Sequence, residues 1–267
     1  CPVSKLVRPA FGKACLGRAR VGMSAKLHQT NQENHIMKKL ILILAAAAAG
    51  LSLRAEEAAA SSYSVTVDFP YASKYVFRGV QYAKQSLQPS VEVATGNFTV
   101  GIWTNQPITD NTDNEIDFYA GFGVPLNDAW KVDAGVTLYY YPELDTGGGA
   151  DSTTWEPYVG FVGTVGGFSP GVYLYYDATL KVYTYQGQVG YSFALEPAGA
   201  SLDFSAALGR VDPKSGSGYT YYSIGASVPF KISESGTFTI GVNYTHNNIA
   251  GGDGYGKNGN VYGTAGV

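Results

Sequence analysis

From residue 56 to its end the chain has no cysteine, no methionine and a single histidine, His246, and it carries nine basic side chains against twenty acidic ones. The missing cysteines exclude a disulfide scaffold and thiolate metal sites. One histidine leaves little for a metal centre, so neither a metal nor a cofactor is expected. The scarcity and dispersion of lysine and arginine exclude a nucleic-acid partner. No stretch approaches 18 consecutive apolar residues, which excludes a membrane-spanning helix.

The first 55 residues have the opposite character, with nine basic residues and one acid, Glu33; both cysteines (Cys1, Cys15) and both methionines (Met23, Met37) lie there. Met37-Lys38-Lys39, then the apolar run Leu40 to Ala49, Gly50 and Ala55, reads as a secretory signal peptide over 37–55. Cleavage is expected among Ala55 to Ala60. Residues 1–36 show neither helical nor strand periodicity and are set aside as upstream or fragment sequence outside the fold. Residues 56–63 are expected to form a short periplasmic lead-in to a barrel over 64–267.

All 21 tyrosines follow residue 55, and from Ser64 the dominant pattern is strict alternation of apolar and polar residues, the period of a half-buried strand. The first run, 64–78, puts Val65, Val67, Phe69, Tyr71, Tyr75 and Phe77 on one face, with Thr66, Asp68, Lys74 and Arg78 on the other. Similar runs follow at 88–95, 98–105, 114–124, 130–141, 153–163, 167–177, 181–193, 200–210, 219–230, 236–246 and 260–267. In 114–124, Ile116, Phe118, Ala120, Phe122 and Val124 oppose Glu115, Asp117, Tyr119, Gly121 and Gly123. Twelve runs of this kind match the length a tilted strand needs to cross a bilayer, about 9–11 residues.

The connections separate a membrane barrel from a soluble sandwich. Long links rich in Asp, Asn, Gly and Ser (106–113, 142–152, 211–218, 247–259) alternate with tight ones at 96–97, 125–129, 163–166, 196–199 and 231–236. Long outer loops alternating with short periplasmic turns, and an even strand number, characterise outer-membrane barrels. The link at 178–180 is short for an outer loop. Hydrocarbon offers no water to an open strand edge, so the sheet has to close. The expected fold is all-β: a closed, antiparallel, up-and-down transmembrane β-barrel of about twelve strands. Gly101, Gly121, Gly123, Gly135, Gly160, Gly171, Gly190, Gly209, Gly225 and Gly241 fall on the polar face, beside Trp103 and many tyrosines. Rings lying over glycines would line the wall and permit strong curvature. Trp130, Tyr140 and Trp155 suit interfacial girdles.

Ser73-Lys74-Tyr75-Val76-Phe77-Arg78-Gly79-Val80 with Gln88-Pro89-Ser90-Val91, Glu115 to Phe122, Asp133 to Pro142, and Trp155-Glu156-Pro157-Tyr158 together resemble the TorF porin family over roughly residues 62–267. Lys74 stands where that family usually has an acid. The resemblance implies a bacterial outer-membrane barrel of porin type. Such barrels usually end on an aromatic residue, whereas this chain stops at Val267 within a strand, so a truncated C-terminus is expected.

The residues expected to line a pore are Asp68, Lys74, Arg78, Glu92, Trp103, Glu115, Asp117, Tyr119, Lys131, Asp133, Tyr139, Glu156, Tyr158, Asp177 and Asp203. An acidic wall, with loop acids Asp110, Asp113, Asp145 and Asp151, would favour cations. Alternatively, opposite charges pair across the lumen and fill it, with Arg78 or Lys74 meeting Glu115 or Asp117. The function expected is passive diffusion of small hydrophilic solutes, with outer-membrane lipid and lipopolysaccharide as surroundings. The competing readings are a plugged structural or adhesive barrel and a lipid hydrolase using His246. The last lacks a serine placed nearby by sequence, so no catalytic residue and no enzyme activity are expected. Asp110 to Asp117 departs from the spacing of a calcium loop. Solute and oligomeric state are not legible.

Overall fold

The computed structural model describes residues 63–109, 112, 114–144, 152–195 and 200–267. The expected upstream segment, signal peptide and lead-in therefore lie outside the described residues, as do Asp110, Asp113, Asp145, Asp151 and the turn 196–199.

Among the described residues sixteen strands form in chain order: β1 (Tyr63–Asp68), β2 (Tyr71–Ala72), β3 (Tyr75–Phe77), β4 (Val80–Ala83), β5 (Ser86–Leu87), β6 (Ser90–Thr95), β7 (Phe98–Pro107), β8 (Glu115–Pro125), β9 (Trp130–Tyr140), β10 (Thr153–Gly163), β11 (Phe168–Asp177), β12 (Val182–Leu195), β13 (Ala200–Pro213), β14 (Tyr219–Lys231), β15 (Thr237–Asn247) and β16 (Gly259–Gly266). Proline splits two of the wall strands, because it cannot donate to a ladder. Pro70 separates β1 from β2, and Pro89 separates β5 from β6; the chain bridges both breaks with Gln88 N–H donating to Pro70 O (2.8 Å) and Thr104 N–H to Pro89 O (3.0 Å). Joined across these breaks, the wall has twelve strands.

Every neighbouring pair is antiparallel and sequence-adjacent from β7 to β16, and the ring closes where β16 meets β2, with Thr264 opposite Ala72 and Ala265 opposite Tyr71. Phe69 N–H donates to Val267 O at 2.7 Å beyond the last ladder pair. The fold is thus a closed twelve-stranded antiparallel meander. Among the described residues, β1 pairs on one side only, with β6.

Alternation sorts the side chains as the period requires. Phe118, Phe122, Val172, Leu208, Ile224, Ile240 and Val242 are all exposed on the outside, while Glu115, Asp117, Tyr139, Glu156 and Thr184 are buried inside. A soluble protein would not spread large apolar residues around its whole circumference. The outer face ends in aromatic belts. Near one rim Trp130 stacks on Phe161 (4.6 Å, 9°) and Phe168 meets Tyr191 (4.7 Å); near the other Tyr176 meets Tyr183 (4.5 Å) and Tyr222 stacks on His246 (5.4 Å, 15°).

The inward glycines are where tyrosine rings lie. A Cβ at Gly101 would collide with the Tyr119 ring, one at Gly135 with Tyr158, one at Gly160 with Tyr173, and one at Gly209 with Tyr221. Each ring thus occupies the space that a side chain at the glycine would take. Outward-facing Gly187 meets nothing within 4 Å.

The first run departs from the sequence expectation. Its wall strand ends at Ala72, and residues 75–83 form a separate two-stranded hairpin, β3–β4, that belongs to no wall ladder. Tyr75 and Phe77, assigned by alternation to the lipid face, are instead buried. The hairpin turn explains the departure. Arg78 (φ 44°) and Gly79 (φ 83°) both have positive φ between the paired residues Phe77 and Val80, the mirror-image turn that suits a two-residue hairpin.

Candidate functional site: a hairpin-filled lumen

The β3–β4 hairpin leaves the wall at Ser73, folds into the barrel from the long-loop rim, and returns at Gln85. Ser73 anchors its base: its N–H donates to Gly263 O (2.9 Å), and its Oγ accepts from Gly263 N–H (2.9 Å). Deeper in, one face of the hairpin meets β7 and β8. Tyr75, Phe77 and Ala83 pack with Trp103, and half-buried Tyr82 and Tyr119 flank them. The other face meets β12, β13 and β14, where Val80 packs with Val182, Val211, Tyr219 and Tyr221. Burying side chains the size of Phe77 and Val80 contributes roughly 1.5–3 kcal/mol each.

At the tip, the Arg78 guanidinium forms a bidentate pair with Glu156, Nη2 to Oε1 at 2.9 Å and Nη1 to Oε2 at 3.0 Å. Nη1 also donates to Thr184 Oγ1 (3.0 Å), Tyr139 OH donates to Glu156 Oε1 (2.9 Å), and the guanidinium carbon lies 4.8 Å from the Tyr175 ring centroid. Both partners are about 2 % exposed. A planar fork met by a carboxylate and an aromatic face is the environment arginine is suited to. The expected pairing of Arg78 with Glu115 or Asp117 is thereby corrected: Glu156, from β10, takes that place. Glu115 accepts from Tyr75 OH (2.8 Å) and Tyr141 OH (3.0 Å). Burial and then the Glu115 carboxylate hold the Tyr75 phenol well above its ordinary range.

Two further groups fix the hairpin, and sequence reasoning passed over both. Asn247 Nδ2 donates to Gly79 O at 2.6 Å. Asp253, in the last long loop, accepts from Gln81 N–H and Asn260 Nδ2 with one oxygen (both 3.1 Å), and from Tyr255 N–H and Lys257 N–H with the other (2.9 and 3.1 Å). Asn247 and Asp253 sit in a segment that reads only as a Gly- and Asn-rich loop. The available signal was the abundance there of side chains that bond backbone groups. Lys74, at the hairpin base, donates to Asn260 Oδ1 (3.3 Å). Its ammonium is shifted down, first by partial burial and then by Lys257, with Asp253 opposing.

The other residues predicted to line a pore divide by height. Trp103, Glu115, Asp117, Tyr139 and Glu156 are buried around the hairpin. Asp177 is buried too, but its Oδ1 accepts the N–H groups of Thr179 (3.0 Å) and Leu180 (2.8 Å), so it caps the tight 178–181 turn. Lys74 and Arg78 ride on the hairpin, not on a wall strand over 64–78. Toward the short-turn rim lies a second, half-exposed group. Glu92 accepts from Tyr119 OH (3.1 Å), Asp133 from Tyr173 OH (3.2 Å), Asp68 from Ser90 Oγ (3.2 Å) and Asp203 from Ser192 Oγ (2.6 Å). Tyr158 lies among them, and Lys131 stands beside Gly123 nearer the rim. His246 faces outward against Tyr222, away from the lumen.

A profile described as "Bacterial protein of unknown function (Gcw_chp)" matches residues 56–262. The chain belongs to the Gcw_chp family. Solved structures similar to this Gcw_chp barrel include the NanC porin, at TM-score 0.53 and 15% identity over 75% of this chain and 98% of that one. The KdgM porin matches at TM-score 0.50 and 11% identity, over 76% and 98% of the two chains. At these identities the likeness is one of fold. No curated protein matches the sequence.

Proposed function

We propose that this Gcw_chp protein is a porin-like channel of the bacterial outer membrane, passing small hydrophilic solutes passively with a preference for cations. The observation that carries the reading is the sorting of the closed wall: large apolar residues all around the outside and a polar, acid-rich inside. Only a bilayer gives that exterior a favourable environment, and only closure satisfies the backbone there. The motif resemblance to TorF porins and the porin-like fold support the same reading. The export signal expected over 37–55 agrees with it.

Of the fifteen residues predicted to line the pore, eight are carboxylates and three are cations, and Arg78 is neutralised by Glu156. The half-exposed acids Glu92 and Asp133 are the groups a permeating ion would meet, in place of Glu115 and Asp117, which lie buried beneath the hairpin. Purified protein in planar bilayers should therefore give discrete conductance steps with a cation-selective reversal potential in a salt gradient. Glu92→Gln with Asp133→Asn should move that potential toward zero. An unchanged potential would remove the acidic group from the selectivity argument.

One observation favours a second reading, a plugged structural barrel: the hairpin meets inward side chains from β7 around to β15. Absence of conductance from the protein, with or without the hairpin, would select it.

A further inference from the structure

We infer that the β3–β4 hairpin is a displaceable plug, and that the structure described here is the closed state of the channel; this inference rests on the channel reading above. The hairpin is a two-stranded sheet of its own, with no ladder to the wall. The barrel closes through β2, β5 and β7 without it. Its withdrawal therefore breaks no wall hydrogen-bond ladder and leaves the ring intact. An isolated two-stranded hairpin is barely stable in water, so its ordered form depends on docking.

Among the described residues, the hydrogen bonds that dock the hairpin beyond its base run through side chains. Glu156 and Thr184 hold the tip, Asn247 holds the turn carbonyl, Glu115 holds Tyr75, and Asp253 holds the Gln81 amide. The seam between plug and wall is imperfectly matched. Among the described residues, Gln81 Oε1, Tyr175 OH and Tyr219 OH are buried there without a hydrogen-bond partner. Such groups disfavour the docked form and would be hydrated on release. Strong anchors set against unmatched polar atoms make a two-state element.

Gly79 makes the tip sensitive. It has φ +83°, and a Cβ there would fall 2.6 Å from Tyr221 Cβ and 3.2 Å from Asn247 Cβ, both on the wall. Gly79→Ala thus opposes docking while leaving every wall strand unaltered. Glu156→Gln does so differently, by leaving the buried guanidinium without its countercharge.

The test is single-channel recording on the full chain, comparing wild type, Gly79→Ala, Glu156→Gln and a variant with Tyr75 to Ala83 replaced by a Gly-Ser linker. Wild type should show long closures with brief openings. Each point variant should raise the open-time fraction about tenfold or more, and the linker variant should stay open. Steady wild-type conductance unaltered by either point variant would overturn the plug and leave the channel reading standing. Silence from all four would overturn both. Should the linker variant fail to fold, the two point variants decide.

Discussion

Glycine 160 and glycine 187 show how position on the wall decides what one methyl group does. Gly160 lies under the Tyr173 ring, whereas Gly187 has nothing within 4 Å of an added Cβ. Gly160→Ala forces the ring off the wall, an overpacking that costs about 1–3 kcal/mol. Gly187→Ala meets no neighbour and removes chain entropy from the unfolded state, so it should be neutral or stabilising by up to about 1 kcal/mol. Urea unfolding midpoints of the folded barrel in detergent check the contrast; equal midpoints would remove the ring-over-glycine account of the lumen. The pairing itself was legible in the sequence, because glycines and tyrosines share one phase of the alternation. Which tyrosine covers which glycine was not, since that depends on strand register. The Arg78–Glu156 pair was illegible for the same reason. Its members are 78 residues apart, and eight inward carboxylates compete for one guanidinium until the fold places it beside β10.

Among the elements, the wall strands and the hairpin differ in how much their own sequence determines. Alternation places β7 to β16 within a few residues of their observed bounds, because one face of each strand is apolar along its length and a slip of one residue would turn that face inward. The same alternation runs through Tyr75 and Phe77, so local pattern cannot distinguish a strand facing lipid from one facing the lumen. The Arg78-Gly79 turn was the local sign that the first run doubles back. Asp253 carries the next prediction, because it joins the last loop to the hairpin through the Gln81 amide and Asn260. Asp253→Ala leaves that buried amide unpaired, at a cost of about 1–3 kcal/mol. Hydrogen exchange over 74–84 should then quicken, while exchange in β12 to β14 stays slow. Equal slowing or quickening in both would mean that plug and wall open as one unit.

At the scale of the whole molecule, the bilayer reading makes a demand that no soluble barrel would share. Adjacent positions on one strand should respond oppositely to the same charge. Ile224 and Ser223 are neighbours at the middle of β14; Ile224 is 55% exposed on the outside, opposite Ala206 and Tyr244, and Ser223 points inward between Ala207 and Thr245. An arginine on the lipid face at mid-membrane costs about 2–4 kcal/mol, falling toward zero at the interfaces, whereas a lumen position keeps its water. Ile224→Arg should therefore lower the folded fraction in phospholipid vesicles sharply, and Ser223→Arg should leave it near wild type. In a protein folded in water the order reverses, since Ile224 would be a surface site and Ser223 an interior one. Folding yield into vesicles, read from heat-sensitive gel migration, reports which order holds. If Ile224→Arg folds as well as wild type while Ser223→Arg does not, the apolar exterior does not face hydrocarbon and the channel reading falls with it.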